Sequence, residues 1–324
     1  MRTLFIIVAI VLALIVLTFI SSRGGHESYD AKTFKPGPVI GMLKGLSTDE
    51  LQGRAIGSAG SQRAQEMIES RMQALELLKI TDSYRHPFEI TIEDKVLKGT
   101  NLIGVIGGTS KSLNRIILTA HYDHVGVKDG EIYNGADDNA SGVAALFAVA
   151  EHFKRKKTPP KHTLVFVFFD GEESDLAGAK ALMADPPLPQ KQFAFNLNLD
   201  MVARADNGTL WASGAYHTPA LTPLIEGVAK DAPLVLKQGF DGSNPDQDDW
   251  TTQSDHAVFH EAGIPYLYLG VEDHKDYHKP TDTFENIDQD TFLKSVETVV
   301  QITMALDEQL EEVLGLPPLE KPEE

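Results

Sequence analysis

Histidine, aspartate and glutamate recur in short polar clusters along this chain, and most of those clusters directly follow an apolar run. His121-Tyr122-Asp123-His124 follows Arg115–Ala120, Asp170-Gly171-Glu172-Glu173 follows Thr163–Phe169, and Asp200 follows Phe193–Leu199. Tyr277-His278-Lys279-Pro280-Thr281-Asp282 follows the run Pro265–Leu269, and Gly135 to Gly142, with Asp137-Asp138-Asn139 inside it, opens another apolar stretch. Singly, each has an ordinary use: a surface histidine pair, a helix cap, a solvated acidic pair, a turn aspartate. Together they put imidazoles and carboxylates on five separate segments. Imidazole and carboxylate are ligands for zinc. The chain has no cysteine, so thiolate zinc sites, disulfides and cysteine nucleophiles are excluded.

The elements that must position these groups are legible in the hydrophobic pattern. Asn101–Ile106, Arg115–Ala120, Thr163–Phe169, Phe193–Leu199 and Pro265–Leu269 are short and rich in β-branched or aromatic residues, as buried strands are. Ser141–Phe153 is apolar nearly all round and reads as a buried helix. Further helices are expected at Pro219–Lys230 and Asp290–Leu314, and one with Ala64, Met67, Ile68, Met72, Leu75 and Leu78 on one face. Alternating strands and helices predict an α/β fold, a mixed, largely parallel central β-sheet flanked by helices. In such a sheet ligands bind beyond the carboxyl ends of the strands, where the polar clusters fall.

These motifs, in this order from about Leu46 to Ile287, resemble peptidase family M28, zinc aminopeptidases with a co-catalytic metal pair. Ser254-Asp255-His256 and Ala262-Gly263-Ile264-Pro265 are similar to its bacterial members. The resemblance implies a zinc-peptidase (phosphorylase/hydrolase-like) fold and two Zn2+ per chain. It implies that Asp138 bridges both ions, with His121 and Asp200 completing one ligand set and Glu173 and His278 the other. It also implies a cis peptide bond at Asp138–Asn139 and a hydrogen bond from Tyr277 to the substrate carbonyl, for which packing against the pocket wall is the alternative. Three carboxylates against two divalent ions leave residual positive charge to favour a hydroxide nucleophile and an oxyanion. Glu172 is the expected general base, facing away from Glu173 if the chain is still extended there. Asp123 is expected to accept the second N–H of His121. Asp255 and His256 are expected either to line the pocket or to cap a helix, His124 to be structural, and the loop Asp241–Trp250 to shape the pocket or be solvated.

The remaining features bound partners and compartment. Lys+Arg is 29 and Asp+Glu is 47, a net charge of −18, which disfavours nucleic acid. Leu4 to Ile20 is apolar apart from Thr18 and reads as an N-terminal anchor or signal segment over residues 1–24, with a linker over 25–40. The catalytic domain is then expected over 41–314, outside the cytoplasm, touching the membrane only through that segment, and followed by an acidic, Pro-rich tail over 315–324. Peptides with a free N-terminus are the expected substrates. Two other readings stand beside the aminopeptidase: a single-zinc enzyme resembling glutaminyl cyclases, and a non-catalytic ectodomain on the same fold.

Overall fold

A computed structural model of the chain describes residues 29–155 and 159–319. The apolar run at Leu4–Ile20 therefore lies outside the described residues. Among the described residues no helix is long and apolar enough to cross a membrane. The first helix among the described residues, α1 (Pro36–Leu46), starts inside the segment expected to be a linker. Proline is tolerated in a helix's first turn, where its missing N–H would have had no partner, so Pro36-Gly37-Pro38 opens a helix here instead of breaking one. Its face of Val39, Met42, Leu43 and Leu46 is buried.

After α2 (Ala59–Ala74) come the strands β1 (Arg85–Ile92), β2 (Lys95–Ile106) and β3 (Arg115–His121), and a small hairpin of β4 (Gly126–Lys128) and β5 (Glu131–Tyr133). Then follow α3 (Gly142–Arg155), β6 (Thr163–Phe169), α4 (Ala177–Ala184), β7 (Phe193–Leu199), β8 (Thr209–Ser213), α5 (Leu221–Ala229) and β9 (Val235–Gln238). The chain continues through α6 (His256–Glu261) and β10 (Tyr266–Gly270) to the long α7 (Gln289–Val313). Eight strands form one sheet in the order β1-β2-β6-β3-β7-β10-β8-β9. The four central strands β6, β3, β7 and β10 run parallel, while β2 and β8 pair antiparallel to them on either side. This is the expected mixed, largely parallel α/β sheet.

Side chains alternate across the buried strands, so each face has its own layer. Ile117, Val165, Val167 and Phe169 pack with Ala179 and Leu182 of α4 and Val258 and Phe259 of α6. Phe168, on the other face, stacks on Phe147 of α3 at 4.7 Å. Helix α3 is buried from Gly142 through Phe153, which explains its apolar character all round. Three strands of the eight-stranded sheet escape the apolar-run criterion, as does the small β4–β5 hairpin. β1 alternates in exposure, and β8 and β9 lie toward the opposite edge of the sheet. The face expected to run through Leu78 also stops short: α2 ends at Ala74, and Leu78 is exposed while its backbone pairs with Val105.

Candidate metal centre

Because β3, β6, β7 and β10 are parallel, their carboxyl ends lie along one edge of the sheet. His121 is the last residue of β3, Glu172 and Glu173 follow β6 by three and four residues, and Asp200 follows β7 directly. The loop after β10 carries His278, and a turn from Ala136 to Ser141, leading into α3, carries Asp138. The peptide bond Asp138–Asn139 is cis.

Two donor groups converge at this edge. One comprises His124, Asp138, Glu173 and His278, the other His121, Glu172 and Asp200, and within each the ligand atoms lie within 4.8 Å of one another. Asp138 lies between them. Its Oδ1 is 3.4 Å from His121 Nε2 and its Oδ2 is 3.0 Å from His278 Nε2. His121 Nε2 is 3.2 Å from Asp200 Oδ1 and 4.0 Å from Glu172 Oε2. Glu173 Oε1 is 3.4 Å from His278 Nε2 and 2.7 Å from His124 Nδ1.

Several expectations need correction. His124, expected to be structural, is fully buried and belongs to the first donor group. The chain at Glu172-Glu173 is a turn, not an extended strand, yet the two carboxylates still diverge to different groups. Asp123 supports His121 through its backbone carbonyl, 3.1 Å from Nδ1, whereas its carboxylate Oδ1 stands 3.6 Å away. That carboxylate instead accepts the backbone N–H groups of Glu172 (3.0 Å) and Glu173 (3.3 Å) and so shapes their turn. Asp255 makes no capping hydrogen bond; its buried carboxylate oxygens have no hydrogen-bond partner among the described residues. Buried His256 meets the Trp250 carbonyl at 2.8 Å and packs against Tyr266 and Tyr268. The Asp241–Trp250 loop divides: Asp241 and Trp250 are buried, while Gly242 to Asp246 are exposed.

The loops are tied to each other as well as to the sheet. Asp282 accepts the backbone N–H groups of Asp137 and Asp138, linking the His278 loop to the Ala136–Ser141 turn. Asn139 donates to the Leu199 carbonyl at 2.9 Å, linking that turn to Asp200. Asp200 also accepts from Ser254 Oγ at 2.7 Å. Tyr277 is half-buried and its ring stacks on His278 at 4.1 Å.

Electrostatics separate the two glutamates. Burial pushes the Glu172 carboxyl well above the ordinary range, against the pull of His121. Burial would raise Glu173 too, but His124 and His278 hold it at about 2. Burial also raises Asp200, whereas Asp138 is held well below the usual range because His124, His121 and His278 outweigh its desolvation.

The donor chemistry fits zinc: imidazole nitrogens and carboxylate oxygens, with no thiolate. Among the described residues, both ring nitrogens of His124, and Glu173 Oε1, are buried without a hydrogen-bond partner, although Nδ1 and Oε1 are only 2.7 Å apart. Close donors aimed together without a hydrogen bond between them are what an ion would satisfy. The family model Peptidase family M28 matches residues 101–303. The chain belongs to peptidase family M28. Among M28-like relatives, the vacuolar membrane protease of Candida tropicalis is 30% identical over 192 residues, 59% of this chain and 19% of that protein. The chain thus spans about a fifth of the length of the curated relatives it matches. A Zn-dependent exopeptidase from Parabacteroides distasonis has the same fold, with a TM-score of 0.68, 20% identity, and coverage of 85% of this chain and 99% of that one. A Porphyromonas gingivalis glutaminyl cyclase superposes equally well, with a TM-score of 0.69, 21% identity, and coverage of 86% and 100%.

Proposed function

We propose that this M28 chain is a zinc aminopeptidase that removes the N-terminal residue of peptides. The observation that carries the reading is the division of the Asp138 carboxylate, one oxygen toward each of two donor groups that have their own histidine and carboxylate. Asp138, His121 and Asp200 would hold one zinc ion, and Asp138, Glu173 and His278 the other, with His124 as a further donor. Bound there, the two ions would polarise the scissile carbonyl and make water acidic enough to act as a nucleophile near neutral pH.

The chain's own residues supply the rest. Glu172 stands farther from His121 than Asp200 does, so it is free to take the water proton and deliver it to the leaving amine. Its raised affinity for a proton suits that second task. Tyr277, beside His278, would steady the substrate carbonyl. The apolar run Leu4–Ile20 would anchor the protein with this domain on the extracytoplasmic side.

The glutaminyl cyclase similarity keeps one competing reading in view. Purified full-length chain with zinc should release nitroaniline from free aminoacyl-nitroanilides and not from their N-acetylated counterparts. Cyclisation of glutaminyl peptides without amide hydrolysis, at one zinc per chain, would move the assignment to a cyclase.

A further inference from the structure

Arg54 is fully buried, and its partners are four backbone carbonyls. Nε donates to Tyr122 O at 2.6 Å, Nη1 to Asn134 O at 2.6 Å and to Leu46 O, and Nη2 to Gly135 O at 3.0 Å. Tyr122 directly follows His121, and Asn134-Gly135 directly precedes the turn that carries Asp137 and Asp138. One planar guanidinium therefore ties together the segments that carry His121 and Asp138. The third anchor, Leu46, ends α1.

The backbone is bent to place it. Gln52, Gly53 and Arg54 are consecutive residues with φ of 47°, 67° and 55°, a left-handed run in which only the middle residue is a glycine. A Cβ at position 53 would press into the carbonyls of Tyr133 and Gly126. Such conformations persist where the surroundings over-determine them, and the four carbonyls here do so. No carboxylate forms an ion pair with Arg54 among the described residues; the charges it answers are those of Asp123, Asp138, Asp282 and Glu173 at longer range. Burial lowers it only to about 10, so it remains a cation at neutral pH.

We propose that Arg54 is a positioning residue of the metal centre, holding the His121 and Asp138 loops at the separation that zinc requires. This rests on the zinc reading of the site, but not on the choice of substrate. Groups that orient metal ligands typically change metal affinity by about 10–100-fold when removed.

The test is zinc affinity of the full-length chain, by competition with a chromogenic chelator, for Arg54→Gln and Arg54→Lys. Circular dichroism establishes that each is folded. His162→Leu, a buried change remote from these loops in sequence, serves as the destabilised control. The expected result is zinc binding weakened by about 10–100-fold in Arg54→Gln, partial recovery in Arg54→Lys, and no change in the control. The d–d spectrum of the cobalt-loaded Arg54→Gln protein should also shift. Folded variants with unaltered affinity and spectrum would overturn the proposal, as would an equal loss of affinity in the control. Failure of both variants to fold would make Arg54 a folding residue and overturn it too. If the wild type binds no zinc at these loops, the zinc reading itself fails.

Discussion

Adjacent glutamates with opposite proton affinities show how strongly position governs chemistry at this edge. Glu172 and Glu173 share a turn fastened by one carboxylate, Asp123, yet burial raises the first while two imidazoles hold the second at about 2. A group that stays ionised beside histidines suits a ligand; a group that readily binds a proton suits a shuttle. Glu172→Gln should therefore keep zinc and fold while kcat falls by about 10²–10⁴-fold, the range that general-base catalysis contributes. Steady-state kinetics with a zinc assay on the same sample would decide it, and undiminished turnover would remove Glu172 from the mechanism. Asp138→Ala is expected to reduce bound zinc at both positions, because one Asp138 oxygen lies toward His278 and the other toward His121 of the second donor group. His124→Ala should weaken only the position shared with Glu173 and His278; metal analysis that found both variants with two equivalents would contradict the division of donors.

At the scale of elements, the strands that carry the candidate ligands were legible because their apolar runs end where their polar residues begin. β3, β6 and β7 have nearly the boundaries that hydropathy predicts, and parallel pairing then places His121, Glu173 and Asp200 along one edge. Two groups whose placement depends on how loops fold back were not legible. His124 joins the donors only because the chain turns after His121, and Arg54 looks like any charged residue until three separate segments close over it. The β1–β2 hairpin was also hidden, since its turn uses Glu93-Asp94, both at positive φ, in place of the usual Asn-Gly signal.

A second buried cluster binds α7 to the start of β6. His162 Nε2 lies 2.6 Å from Glu311 Oε1 and its Nδ1 3.2 Å from Asp307 Oδ1, with Lys161 Nζ within 4 Å of Glu308 and Glu311. Burial lowers the imidazole's proton affinity, but these carboxylates outweigh it and raise the net value above 6.5. The sign follows: this stabilisation is complete below about pH 6.5 and is lost as pH rises through the higher folded value. His162→Leu should cost roughly 3–5 kcal/mol, as loss of one partner from a buried pair does. It should also remove this part of the decline in stability above neutrality, read from urea unfolding at a series of pH values. A variant whose pH profile parallels the wild type would show that His162 does not titrate with folding.

For the whole molecule the governing fact is charge. The chain carries a net −18, and a buried or half-buried share of that charge is gathered at one sheet edge, where Asp123, Asp138, Glu172, Glu173, Asp200 and Asp255 crowd together. Folding must hold these carboxylates close against their mutual repulsion and their loss of hydration. Arg54 and the site histidines offset part of that cost. Divalent cations would offset far more, and because the donors come from segments that follow five different strands, binding them would tie that edge of the sheet together. A ligand that binds only the folded state at about 100 times its Kd adds about 2.7 kcal/mol per site. With unfolding entropies typical of domains of this size, that is a rise in Tm of roughly 4–5 °C for one site and more for two. Removal of metal by a strong chelator should lower Tm by that amount, and stepwise return of zinc should restore it in two increments, reaching a plateau at two equivalents. The increments should be absent in Asp138→Ala. A Tm indifferent to chelation in the wild type would mean that the crowded carboxylates are already balanced without a cation, and the metal centre would have to be abandoned.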